Sequence, residues 1–137
     1  MKAKFATLIV CSQVLLMLAC HKSHDDVNVS QNQPVTNGDW RVTLFTDSGN
    51  DETVDFNNYT FYFSSEGTLK AVRNGTTTIG SWSKGSKFNI DLGVKNEANK
   101  PLGELTDDWQ IISISPTEIR LGDDNPASGE LLTFTKN

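Results

Sequence analysis

From Gly38 to the C-terminus, apolar and polar residues alternate in short runs, each ended by turn-forming residues. Trp40 to Leu44 alternates, and so does Tyr59 to Ser64, which places Tyr59, Phe61 and Phe63 on one face. A period of two is the signature of a half-buried β-strand. Glu66-Gly67 predicts a turn into Thr68–Arg73, and Asn74-Gly75, the strongest hairpin signal in the chain, leads into Thr76–Ser83. Lys84-Gly85 turns into Lys87–Leu92. Trp109–Ser115, Thr117–Leu121 and Leu131–Lys136 complete about eight short strands rich in aromatic and β-branched residues. Sequential hairpins of this kind close most readily into an up-and-down antiparallel barrel, which leaves no free edge. A two-sheet sandwich is the alternative, although it usually needs longer connections between sheets.

The longest interruption, 93 to 108, carries Leu102, Leu105 and Trp109 at helical spacing after Pro101. It predicts a short helical turn whose leucines stopper one end of the barrel; a lid over a ligand mouth is the other reading.

The N-terminus has a different pattern. Lys2 and Lys4 precede a mostly apolar run from Phe5 to Ala19, which ends at Cys20 and gives way at once to polar sequence. Such a run is too short for a membrane span and has the order of a lipoprotein signal peptide, cut before a cysteine that then carries lipid such as palmitate. An ordinary secretory signal is the alternative. Residues 1–19 are therefore expected to be the signal, 20–37 a lipidated cysteine and disordered polar tether, and 38–137 a single folded domain. The expected address is the outer membrane, on its periplasmic face or at the cell surface.

Composition narrows the function. Without the two signal lysines, ten Lys and Arg stand against 17 Asp and Glu, a formal charge of −7. An acidic surface with no basic cluster argues against nucleic acid as a partner. Cys11 lies within the signal and Cys20 is the lipid site, so the expected domain has neither disulfide nor thiolate metal site. Its three Trp and six Phe must supply the core instead.

Catalytic chemistry is hard to assemble. Both histidines, His21 and His24, fall in the tether, which removes the usual general base and the commonest transition-metal ligand from the domain. Asp51-Glu52, Asp107-Asp108 and Asp123-Asp124 offer paired carboxylates, but adjacent acids in turns most often cap or face solvent. Asp47-Ser48-Gly49-Asn50-Asp51 hints at calcium, yet it departs from an EF-hand loop in its glycine position and lacks the terminal Glu. No enzyme activity, cofactor or metal is expected.

Gly38-Asp39-Trp40 matches the Gly-x-Trp motif that opens lipocalins, and the wider order resembles the short lipocalin-like lipoproteins of Bacteroidota. That order runs through Phe63-Ser64-Ser65-Glu66-Gly67, Gly80-Ser81-Trp82-Ser83, Leu105 to Trp109 and Leu132-Thr133-Phe134. The acidic pair Asp25-Asp26 behind Cys20 likewise resembles the surface-export signals of that phylum. The resemblance implies an eight-stranded lipocalin-like barrel whose first tryptophan packs near a late arginine, for which Arg120 is the candidate. The aromatic inventory is the positive argument for a small hydrophobic ligand, with Trp40, Phe61, Phe63, Trp82, Phe88 and Trp109 as the expected lining. The same rings would equally serve as a solid core. The alternative function is an interaction or protease-inhibitor module acting through its loops, with an envelope protein as partner and the chain itself monomeric. Long loops at one rim and a filled interior would favour that alternative.

Overall fold

Asn74 and Gly75 both take positive φ, 51° and 80°. This is the backbone that a tight two-residue hairpin requires and that Asn-Gly supplies at least strain. The turn folds β4 (Thr68–Arg73) onto β5 (Thr76–Lys84) in continuous antiparallel register, from Arg73 opposite Thr76 to Thr68 opposite Ser81. The other strands of the computed structural model, which describes residues 33–137, follow the same logic. They are β1 (Trp40–Asp47), β2 (Asn50–Asp51), β3 (Thr60–Phe63), β6 (Lys87–Asp91), β7 (Asp107–Ile114), β8 (Glu118–Gly122) and β9 (Leu131–Lys136).

Each strand from β3 to β9 pairs antiparallel with the next, and β9 returns to β1 along six residue pairs. The result is a closed lipocalin-like barrel of eight strands, with the two-residue β2 added to the end of β1. The sandwich alternative is thereby excluded. The β1–β3 seam is thin: Trp40 pairs with Phe61, and beyond that point β2 and a 3-10 turn, Thr53–Phe56, fill the gap.

Inward and outward positions alternate as the sequence predicts until two bulges shift them. In β1 the register slips between Val42 and Leu44, so Trp40 and Val42 point inward before the slip and Phe45 after it. In β7 the slip falls between Ile111 and Ser113, which leaves Ile112 as the extra residue, half exposed on the outer wall. A bulge of this kind re-aims a side chain without ending the strand.

Because β1 runs away from the N-terminal end, the antiparallel order divides the connections between two ends. The base receives the turns Ser64–Gly67, Gly85–Ser86 and Ser115–Thr117, together with both termini of the described chain. The opposite rim carries the long connections 48–59, 92–106 and 123–130, and the short Asn74-Gly75 turn.

Both ends are stoppered. At the rim, Leu102–Leu105 forms the expected plug as a 3-10 turn, with Leu102 and Leu105 buried and the indole of Trp109 donating to the Leu105 carbonyl at 2.9 Å. At the base, a one-turn helix α1 (Gln33–Thr36) buries Val35, whose carbonyl accepts from the Trp40 indole at 2.9 Å. Among the described residues, Gln33–Thr36 therefore packs onto the barrel ahead of Gly38. Val35 is the lone apolar residue near the end of the polar segment, and the base of the barrel gives it a place to be buried. Residues 1–19, expected to be a signal, and Cys20, His21 and His24 lie outside the described residues.

Candidate binding surfaces

The aromatic residues expected to line a cavity are all inside the barrel, each 4% exposed or less. They do not form one surface. Phe63 is the hub: its ring meets Trp82, Phe88 and Phe134 edge-on, with centroids 5.3, 5.8 and 5.5 Å away. Trp82 stacks on Phe88 at 5.5 Å, and Phe61 reaches the group through Phe134 at 5.2 Å. Offset and edge-to-face geometries at these separations are those of a packed core. Trp40 closes the base and Trp109 anchors the rim plug, so they stand apart from the central cluster. Trp82 also reaches the floor of a shallow groove of about 400 Å³ on the outer wall, beside Ser81, Ser83, Asn89, Asp91 and Asp108.

Arg120 does not pack on Trp40. It lies between inward-facing Ile119 and Leu121, and the period of two therefore puts it in solvent. The cation near the tryptophan is Lys136 of the last strand, with Nζ 5.9 Å from the Trp40 ring centroid. The last strand reaches Trp40 by direct pairing, Trp40 opposite Lys136, whereas β8 is not adjacent to β1.

A different apolar surface comes from the bulge in β7. Ile112 and Leu131 are 51% and 41% exposed, and Gly122 lies between them. A methyl group added at Gly122 would sit 3.3 Å from the Ile112 Cδ1 atom and 3.6 Å from Leu131 Cδ2. The missing side chain is thus what opens the wall there. Together with Pro126 and Gln110 they line a predominantly apolar cleft of about 560 Å³, bordered by Asp123, Asp124 and Glu130. The sequence signal for it is the Ile111-Ile112 pair, which breaks an otherwise alternating strand.

Two groups of three carboxylates converge at the rim among the described residues. Asp107, Asp123 and Glu130 bring one oxygen each within 4.8 Å of the others. Burial raises the Glu130 carboxyl above its ordinary range, while Lys95, 3.6 Å away, opposes the shift. The second group is Asp47, Glu52 and Glu104. Burial and then the like charges of Glu104 and Asp47 raise the Glu52 carboxyl. Of the remaining acids of the sequence pairs, Asp51 accepts from the Thr53 amide at 2.9 Å, Asp124 binds Lys87 at 2.9 Å, and Asp108 is exposed.

The closed eight-stranded sheet with plugged ends defines a lipocalin-like barrel, and comparison with solved structures agrees. A lipocalin-like protein from Bacteroides uniformis superposes with a TM-score of 0.50 at 22% identity, over 74% of this chain and 98% of its own. A DUF4847 family protein from Bacteroides vulgatus gives a TM-score of 0.54 at 15% identity, over 77% of this chain and 96% of its own. No protein-family model and no curated protein sequence matches the chain. The likeness is one of fold.

Proposed function

We propose that the protein is a non-catalytic binding module of the cell envelope, carried on a lipid at Cys20, which takes a small hydrophobic ligand on its wall rather than in its centre. The observation that carries this reading is a contrast. The rings inside the barrel are packed against one another, while Ile112, Gly122 and Leu131 hold an apolar cleft open to solvent. Its volume lies within the roughly 300–1,000 Å³ typical of small-molecule sites. The acidic border disfavours a carboxylate at that edge and suits a neutral or cationic head group.

The alternative, a protein-interaction module, is favoured by the three long connections gathered at the same rim as the cleft. An apolar side chain of a partner would occupy the same space, so size separates the two readings.

The test has two parts. Protein purified from its native host is analysed by mass spectrometry for a co-purified small molecule, and a neutral acyl-chain probe is titrated while backbone amide NMR shifts are followed. Shifts centred on 110–112, 122–124 and 129–131 that vanish in Ile112→Asp and Leu131→Asp support the wall cleft. Shifts centred on Phe63, Trp82 and Phe88 would return the ligand to the interior. No shift at any chain length would sink the carrier and leave the interaction module. Membrane association is tested separately: Cys20→Ser should release the protein from membranes, and retention would overturn the anchor.

A further inference from the structure

We propose that Asp47, Glu52 and Glu104 form a calcium site at the long-loop rim of the barrel. The three come from separate parts of the chain: Asp47 ends β1, Glu52 follows β2, and Glu104 belongs to the plug turn Leu102–Leu105. One carboxylate oxygen from each lies within 4.8 Å of the others. Two oxygens bound to a single Ca²⁺ at about 2.4 Å can lie no more than about 4.8 Å apart, so the group is already within reach of one ion.

A second, independent observation falls on one of the same three carboxylates. Glu104 is only 4% exposed, and its Oε2 is buried with no hydrogen-bond partner. Its other oxygen meets Lys100 Nζ at 3.1 Å, but that ammonium is shared with Glu97, also at 3.1 Å. One shared lysine thus faces several carboxylates. A buried carboxylate oxygen without a donor is costly, because desolvation is not repaid. A divalent cation would satisfy the oxygen and offset the repulsion among the three acids.

The donor set selects the ion. It is all oxygen, with neither imidazole nor thiolate, which suits hard cations over zinc or copper. Calcium tolerates irregular sets of carboxylates completed by carbonyls and water, whereas magnesium demands tighter octahedral geometry. The calcium hint in Asp47-Ser48-Gly49-Asn50-Asp51 is therefore sharpened: the first residue of that loop contributes, but its partners are Glu52 and Glu104. The site does not depend on the wall cleft or on its ligand.

The experiment is calorimetric titration of chelator-stripped protein with calcium chloride, with magnesium chloride in parallel and thermal melts in each. One calcium per chain is expected, with a dissociation constant in the roughly 10⁻⁴–10⁻³ M range of extracellular modules. A higher melting temperature should accompany it. Asp47→Asn and Glu52→Gln should each weaken binding about tenfold or more, while Lys100→Met, which removes the competing cation, should strengthen it. Glu118→Gln, at an exposed acid beside the base turn Ser115–Thr117, should leave it unchanged. Glu104→Gln alters a buried position, so the decision rests on the two more exposed acids. No binding up to about 10 mM calcium, where even the weakest affinity in that range would near saturation, overturns the site. Undiminished binding in both Asp47→Asn and Glu52→Gln also overturns it. Tighter binding of magnesium overturns the choice of ion.

Discussion

The hydroxyl of Thr53 accepts a 2.8 Å hydrogen bond from the backbone N–H of Phe45 and lies 3.4 Å from the carbonyl oxygen of the same residue. One side chain thus performs the exchange that a neighbouring strand would make, at the place where β1 and β3 have parted. The Glu52 amide also donates to the Phe45 carbonyl at 2.9 Å, and Phe56 packs edge-on against the Phe45 ring with centroids 5.1 Å apart. The seam is closed by the 3-10 turn rather than by a ladder.

Thr53→Val keeps the volume and β-branching but removes the acceptor for the part-buried Phe45 amide. A lost bond with an unsatisfied buried donor costs about 1–3 kcal/mol. Urea unfolding should show that loss, and amide exchange at Phe45 should quicken. Unchanged exchange there would mean that the seam does not depend on the hydroxyl.

Phe63 meets three buried aromatic rings inside the barrel, so Phe63→Ala should be among the most damaging core substitutions. Truncating a buried Phe typically costs about 3–5 kcal/mol, through lost transfer energy and the cavity left behind. The fall in denaturation midpoint measures it. A loss below about 1 kcal/mol would show that the rings pack loosely enough to collapse around the gap, contrary to the close packing of interiors.

The cation over Trp40 is the lysine of the last strand. Lys136→Met, which keeps the stem but not the charge, should cost about 0.5–1 kcal/mol, the worth of a surface cation–π contact. Arg120→Ala should stay within about 0.5 kcal/mol of the parent, as an exposed substitution does. Chemical denaturation of the two variants checks the ordering, and a larger loss for Arg120 would reverse the assignment.

Glu130 and Asp51 should act oppositely on the pH dependence of stability. The Glu130 carboxyl is raised above 4.5, chiefly by burial. The folded protein therefore holds this proton more tightly than the unfolded chain, and the resulting stabilisation is complete below 4.5 and lost as pH rises through the folded value. Relative to the parent, Glu130→Gln should grow more stable from pH 4 to pH 7. Asp51 is lowered below 3.8 by its hydrogen bonds with Thr53. Its contribution is present above 3.8 and lost as pH falls through the folded value, so Asp51→Asn should lose its disadvantage in acid. Thermal melts from pH 7 down to about pH 2 read both, and parallel curves for parent and variants would refute the assignment.

Strand positions were largely legible from the sequence because alternation and turn chemistry are local signals. The run Thr76–Ser83 is one residue short of β5, and Leu131–Lys136 coincides with β9. The bulge in β7 left one mark, the Ile111-Ile112 pair, but the register with β8 decides which isoleucine turns outward to make the cleft. Val35 was hidden by its polar neighbours, since a single apolar residue becomes core only when a distant surface receives it. The Trp40 partner was misassigned by analogy, although the parity of Ile119, Arg120 and Leu121 already turned the arginine outward. The rim carboxylates were visible as residues but not as a group, because Glu104 meets Asp47 and Glu52 only after the plug folds over the barrel end.

The bond between the Trp40 indole and the Val35 carbonyl gives the molecule a direction. The chain enters the barrel at its base, so a pull on the N-terminus is taken up there, on a fully buried residue and the first strand. A barrel hung by that end from a surface would turn its long loops, its apolar cleft and its acidic cluster away from the point of suspension. Its base would serve as the stalk and its rim as the outward face.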